Sequence, residues 1–331
     1  MTAARRPAQG RRRRFAPRGV LVTLALVLAS VGGCDLAGPS PSSPSPAASP
    51  TGPSATFPSA GPKASATPRS SPTPRPLPSP SASAPRIVGA TQTPCPGSTT
   101  TARRGSVTTG QSRNWAGYIV GVTKGHVTCV EGTWTQPKVR CPSSGQTSVA
   151  IWVGIDGSSA VGTMPDASAT LAQTGTTGDC DDGKATYGAW FEFLPDLRQI
   201  TPLSVPVNGG DTIWARVLSL GKGRFVATLV NVTQLLGATQ AWTLRQPPLL
   251  TAEWVVEDPA ASCSGSSCTF MTLSRFPTVT LNGAVTINGR RYPLRAVPFP
   301  YLRTSINRSG KTLASPTWLT SRGFSVTWKS S

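Results

Sequence analysis

From about Asn114 to the C-terminus, apolar and polar positions alternate in short runs punctuated by Gly, Asn and Pro. A period of two is the pattern of strands that turn one face to a core. Thr212 to Leu220 and Phe225 to Thr233 flank Gly221-Lys222-Gly223 and predict a hairpin. Asn282-Gly283 and Asn288-Gly289 each carry the type I′ turn signal, which predicts two turns with Ala284 to Ile287 between them. No stretch combines a helical period with caps. Roughly 220 residues of this kind predict a single all-β domain, a large sandwich or barrel.

One run stands out. Thr251 to Asp258 reads T-A-E-W-V-V-E-D. As a strand it would turn Trp254 and Val256 one way and Glu253 and Val255 the other. A carboxylate flanked by apolar residues loses solvation, its pKa rises, and it becomes suited to holding and releasing protons in acid. The same pattern also fits a Glu on the wet face of an edge strand. The Trp-rich segments around Trp115, Trp134, Trp152 and Trp190 either fill the core or line a cleft, and on frequency the core is expected for most of them.

The N-terminal third differs in kind. Residues 1–33 read as an export signal: Arg5, Arg6 and Arg11 to Arg14 precede an apolar stretch from Val20 to Ala29. That stretch is too short for a membrane span, and Arg12-Arg13-Arg14-Phe15 also fits a twin-arginine signal. Val31-Gly32-Gly33-Cys34 resembles a bacterial lipobox, which implies cleavage before Cys34 and a lipid anchor on its thiol. Residues 34–88, almost all Pro, Ser, Ala and Thr, are expected to form a disordered stalk. Residues 89–331 form the domain, expected to be a monomer that is secreted or held on the outer face of a membrane.

Composition narrows the chemistry. Cys95, Cys129, Cys141, Cys180, Cys263 and Cys268 suggest three disulfides in an exported domain. Of these only Cys263 with Cys268 is predictable, across the tight S-G-S-S loop. No Cys-x-x-Cys occurs and His126 is the one histidine, so no metal site and no cofactor are expected. The net charge of +19 is partly carried by the signal and linker; from Arg86 onward the chain keeps 22 Lys and Arg against 12 acids, about +10. Those bases are scattered rather than set beside aromatic platforms, so no nucleic-acid partner is expected. His126 lies in a predicted turn and no Gly-x-Ser-x-Gly elbow is present, which argues against a serine hydrolase. Oxidised cysteines argue against a thiolate nucleophile, and no pair of Asp-Thr/Ser-Gly loops is available. An enzyme of this composition would work through carboxylates and neutral hydrogen-bonding groups.

Asn114-Trp115-Ala116-Gly117, W-V-G-I-D-G from Trp152 to Gly157, Gln173-Thr174-Gly175, Y-G-A-W-F-E from Tyr187 to Glu192 and A-E-W-V-V-E-D from Ala252 to Asp258 occur in that order. This set resembles the glutamic peptidases, or eqolisins, acid-acting secreted endopeptidases. The resemblance implies a two-sheet antiparallel β-sandwich, of the concanavalin-like or jelly-roll type, acting on polypeptide substrates. It implies that Gln173 and Glu253 form the catalytic pair and that Trp115, Trp152, Asp156 and Glu192 line the cleft. Gly188 departs from the family pattern, which often has an acid there; Ala172 replaces a bulkier residue, and the domain is unusually basic. Two other readings are a non-catalytic binding module on a stalk and a glycosidase using Glu253 and Glu192.

Overall fold

A computed structural model describes residues 86–89, 91–123, 126–158, 170–195, 197–264 and 267–331. The chain divides into Met1–Arg75 and Pro76–Ser331, and all described residues fall in the second unit. The predicted signal and the lipobox with Cys34 lie outside the described residues, as does nearly all of the predicted stalk.

In chain order the strands are β1 (Arg86–Gly89), β2 (Ser98–Thr99), β3 (Val107–Ser112), β4 (Trp115–Gly121), β5 (Val127–Thr135), β6 (Gln146–Asp156) and β7 (Leu171–Asp181). They continue with β8 (Lys184–Leu194), β9 (Leu197–Leu203), β10 (Thr212–Ser219), β11 (Arg224–Asn231), β12 (Leu236–Thr243) and β13 (Thr251–Glu257). The last are β14 (Ala260–Ser264), β15 (Ser267–Phe270), β16 (Thr272–Leu273), β17 (Val279–Ile287), β18 (Arg290–Pro293), β19 (Tyr301–Arg308), β20 (Lys311–Pro316) and β21 (Phe324–Trp328).

Two largely antiparallel sheets result, as expected for a β-sandwich. The front sheet runs β3-β19-β4-β13-β6-β7-β8-β9. The back sheet runs β1-β12-β11-β10-β5-β17. Strand β17 then pairs with β21 through its first half and with β18 through its second. Strand β20 joins β19 to β21 and so links the sheets at one corner.

Between the sheets lies a core that includes Tyr118, Trp134, Phe193, Phe225, Trp254, Tyr301 and Phe324. Its buried phenols have acceptors: Tyr118 donates to the Thr317 carbonyl at 2.9 Å and Tyr301 to that of Leu294 at 2.6 Å. The outer face of the front sheet is apolar too, with Trp115, Ile119, Ala150, Trp152, Leu171, Trp190, Val255 and Leu302 packed there. Burial on both faces explains why nearly every residue of β6 and β13 is buried, although their sequences alternate.

The Gly221-Lys222-Gly223 hairpin forms as expected, joining β10 to β11. The Asn288-Gly289 turn also forms, with both residues at positive φ between β17 and β18. Asn282-Gly283 is not a turn: both residues lie inside β17, paired with Thr133 and Gly132. Close packing explains the glycine. A Cβ at Gly283 would stand 2.1 Å from the Glu131 carbonyl oxygen and 2.4 Å from Trp254 Nε1. That indole nitrogen bonds the same carbonyl at 2.9 Å. Gly283 therefore makes room for Trp254, a long-range requirement that mimics a local turn signal.

Two disulfides settle what spacing left open: Cys95–Cys129 and Cys141–Cys180. Cys268 is disulfide-bonded, and Cys263 is its register partner in the β14–β15 hairpin. Such bridges indicate an oxidising compartment.

Candidate active site

Glu253 faces away from the core, as the alternation predicts. On either side of it Ala252 and Trp254 join the inter-sheet core, while Val255 joins the outer face. Its neighbours across the sheet form one row: Ile119 on β4, Glu253 on β13, Gly154 on β6, Gln173 on β7 and Glu192 on β8. Residues in register point to one face, so Glu253 and Gln173 flank a position that has no side chain. Two strand spacings separate their Cα atoms, about 9.5 Å.

All of the row's polar groups are buried or nearly so. Glu253 is 0% exposed and Gln173 4%. Loss of water drives the Glu253 pKa well above the ordinary carboxylate range; the nearby Thr251 hydroxyl opposes this and the Asp156 charge adds to it. Neither carboxyl oxygen of Glu253 completes a hydrogen bond, and Oε1 of Gln173 has no partner either. Unsatisfied buried oxygens on both sides of one glycine are costly in a folded protein, and a bound polar group would relieve them. Gln173 Nε2 donates to Glu192 Oε2 at 2.6 Å, which holds the amide in place. Burial raises the Glu192 pKa, with the Gln173 amide opposing.

Asp156 ends β6 at φ 68°, a strained backbone for a non-glycine residue. Its carboxylate accepts the backbone N–H groups of Leu249 (3.0 Å) and Leu250 (2.8 Å). It thus shapes the turn into Gly157 and fastens the approach to β13. Burial raises its pKa, opposed by the N–H groups of Leu250, Leu249 and Thr251 and by the Thr170 hydroxyl.

Three of the four Trp segments weighed above, at Trp115, Trp152 and Trp190, line this outer face, and only Trp134 is in the inter-sheet core. All three are nonetheless buried, at 4%, 0% and 3% exposed, so the expectation of core holds for them; what it did not foresee is a second apolar cluster on the outer face of the front sheet. The rings of Trp115 and Trp152 meet edge to face at 4.9 Å between centroids. Gly188 belongs to the same face, opposite Thr177, with Thr177 Oγ1 the only atom near its absent Cβ. Glu192 cannot serve freely as a second catalytic carboxylate, because Gln173 stands between it and Glu253 and holds its Oε2. That arrangement counts against the two-carboxylate glycosidase. Among the described residues no group of three or more His, Cys, Asp or Glu could hold a metal ion.

Residues 113–328, which include this whole row, match the Peptidase A4 family. The chain belongs to that family. Aspergillopepsin-2 of Aspergillus niger is 29% identical over 202 residues, 54% of this chain; the chain spans 65% of that relative's length. A solved structure of Scytalido-glutamic peptidase with a peptide-based transition-state analogue shares the fold at a TM-score of 0.55. The two are 23% identical over 66% of this chain and 99% of the other. SCP-B, a member of the eqolisin family solved with the tripeptide Ala-Ile-His, gives 0.53 at 24% identity, with the same coverage.

Within this Peptidase A4 domain, sequence reasoning overlooked two features of the site. Gly154 was read only as part of a motif, although it lies two residues from Trp152 and shares its face. Glu257 was passed over, yet it stands four residues after Glu253 and so on the same face by period two. Asn114 Nδ2 and Trp152 Nε1 each donate to its carboxylate at 2.7 Å. Burial pushes its pKa up to about 8; the Trp152 bond opposes this, the Glu192 charge adds to it, and Trp115 and Asn114 oppose.

Proposed function

We propose that this chain is an endopeptidase acting in acid, with Glu253 and Gln173 as its catalytic pair. The observation that carries this reading is the gap at Gly154, with a carboxylate on one side, an amide on the other and unpartnered buried oxygens on both. A water in that gap gives Glu253 the donor it lacks, which stabilises the carboxylate and draws its pKa back down. Glu253 then takes a proton from the water as it attacks the scissile carbonyl. Oxygen gains the electron pair of the carbonyl bond and becomes an oxyanion. Gln173 offers it the second N–H of Nε2, the first being held by Glu192; one such donor contributes ~3 kcal/mol to the transition state. Collapse of the intermediate breaks the C–N bond, and Glu253 returns its proton to the leaving amine. An amide suits this work because it does not titrate in acid.

The test is hydrolysis of a quenched peptide library by the purified chain from pH 2 to pH 8, with pepstatin present to silence aspartic peptidases. Cleavage in acid that disappears in both Glu253→Gln and Gln173→Ala is expected. Activity surviving in Glu253→Gln would place the chemistry elsewhere. No cleavage by a folded, oxidised wild type would favour the binding module.

For location we propose export through the signal in residues 1–33 and a lipid anchor on Cys34, supported by the lipobox-like run and the stalk composition that follows it. Metabolic labelling with a fatty acid should mark the wild type and spare Cys34→Ala, which should leave the membrane fraction. Equal labelling of both would remove the anchor.

A further inference from the structure

Glu257 is too far from the Gly154 gap to touch a scissile bond, since four residues of β13 separate it from Glu253, about 13 Å along the strand. What joins it to the gap is one ring. Trp152 Nε1 donates to Glu257 Oε2 at 2.7 Å. At the other edge of that indole, Cζ3 lies 3.0 Å from where a Cβ on Gly154 would be. The ring therefore spans from the Glu257 carboxylate to the gap between Glu253 and Gln173.

The Glu257 end is itself well anchored. Its Oε1 accepts from Asn114 Nδ2 at 2.7 Å. The Ser112 hydroxyl oxygen accepts the backbone N–H groups of Asn114 (3.1 Å) and Trp115 (2.8 Å). The Asn114 carbonyl accepts the backbone N–H of Asp258 at 2.8 Å, tying this corner to the end of β13. Trp115 meets Trp152 edge to face, with centroids 4.9 Å apart, and adds an apolar contact to the ring. A half-buried carboxyl group is a costly way to hold a ring that apolar packing alone would retain. What the carboxylate adds is direction, because it accepts from one point on the indole.

We propose that Glu257 is a positioning residue: by holding the Trp152 indole nitrogen it sets the opposite edge of the ring against Gly154, where the scissile peptide is presented. This rests on the reading of Glu253 and Gln173 as the catalytic pair. Small displacements of a positioning surface cost rate more than affinity, since the reacting atoms must meet in a narrow geometry.

The test uses the full chain as wild type, Glu257→Ala, Glu257→Gln, Trp152→Phe and the double variant Glu257→Ala/Trp152→Phe. The indole N–H resonance of Trp152, identified by its loss in Trp152→Phe, reports the bond without any need for activity. Glu257→Ala should move that resonance toward the position of an unbonded indole. It should also lower kcat about ten-fold with KM changed less than about two-fold. Glu257→Gln keeps an acceptor oxygen for the indole and should restore both readings. In the Trp152→Phe background, Glu257→Ala should cost no more than about a further two-fold. If Glu257→Ala does not fold, Glu257→Met, of similar volume and without an acceptor, replaces it in every arm. A kcat that stays at the wild-type level while the resonance moves would overturn the proposal, as would equal losses with and without the Trp152 indole. Absent hydrolysis by wild type with the indole bond intact would sink the catalytic-pair reading and this one with it.

Discussion

Gln173 and Glu253 share a single register partner, Gly154, which lies between them on β6. No hydrogen bond joins them. Gly154 puts no side chain between them, and Leu171 and Trp152 pack close over it, so adding a methyl group there is the most direct way to disturb them.

Gly154→Ala puts a methyl group 2.9 Å from Leu171 Cδ1, 3.0 Å from Trp152 Cζ3 and 3.2 Å from the Ala172 carbonyl oxygen. Overpacking of that kind costs ~1–3 kcal/mol, so the domain should still fold, at a lower melting temperature. Peptide hydrolysis should fall at least ~100-fold, since the methyl displaces both water and scissile bond. Activity within a few-fold of wild type would mean that the gap is not where the chemistry happens.

Glu192 should matter through Gln173 alone. Glu192→Ala removes the acceptor that holds Nε2 at 2.6 Å and leaves the amide free to turn. A loss of ~10–100-fold in kcat with little change in KM is expected, whereas Glu192→Gln, which can still accept through its Oε1, should lose less. If the two variants are equally impaired, charge at this position outweighs orientation of the amide.

Stability should rise toward acid. Glu257 titrates at about 8 in the folded chain against an ordinary value of 4.5. Below pH 4.5 the group is protonated in both states and contributes nothing. Above it the unfolded chain ionises while the folded one holds its proton, so the native state loses ~1.4 kcal/mol per pH unit up to about pH 8. Glu253 shifts in the same direction. Melting temperatures measured from pH 3 to pH 8 should therefore fall as pH rises, and Glu257→Gln should flatten the slope. A profile that climbs toward neutrality would contradict this account.

Asp156→Asn presents an amide where two backbone N–H groups need acceptors. At most one of the bonds to Leu249 and Leu250 survives, which should cost ~1–3 kcal/mol and loosen the approach to β13. Chemical denaturation should show a lower midpoint, and kcat should fall with it. An unchanged midpoint would show that the turn at φ 68° holds without the carboxylate.

Gly283→Ala separates a packing role from a turn role. The new Cβ would overlap the Glu131 carbonyl at 2.1 Å, so the variant should be destabilised by several kcal/mol or fail to fold, on the order of the largest overpacking losses. At Gly289 nothing lies within 4 Å, and φ is +74°. Gly289→Ala should therefore cost only about the ~1 kcal/mol of left-handed strain. Comparing their urea midpoints decides the matter, and similar losses would argue for a turn at both sites.

Much of this was legible in the chain itself. The strand character, the opposite facing of Glu253 and Trp254, the Gly221–Gly223 hairpin and the family motifs all rest on spacing over a few residues, and period two is a local property. Nothing local says which strands become neighbours. Pairing β13 and β7 on either side of β6 brought residues 80 positions apart in sequence to one glycine. The same long-range register turned Asn282-Gly283 from an apparent turn into a slot for Trp254, chose the partners of four cysteines and set three of the buried tryptophans in the outer cluster rather than between the sheets. A sheet buried on both sides makes each alternating position look like core, so only tertiary packing could tell which face holds the site.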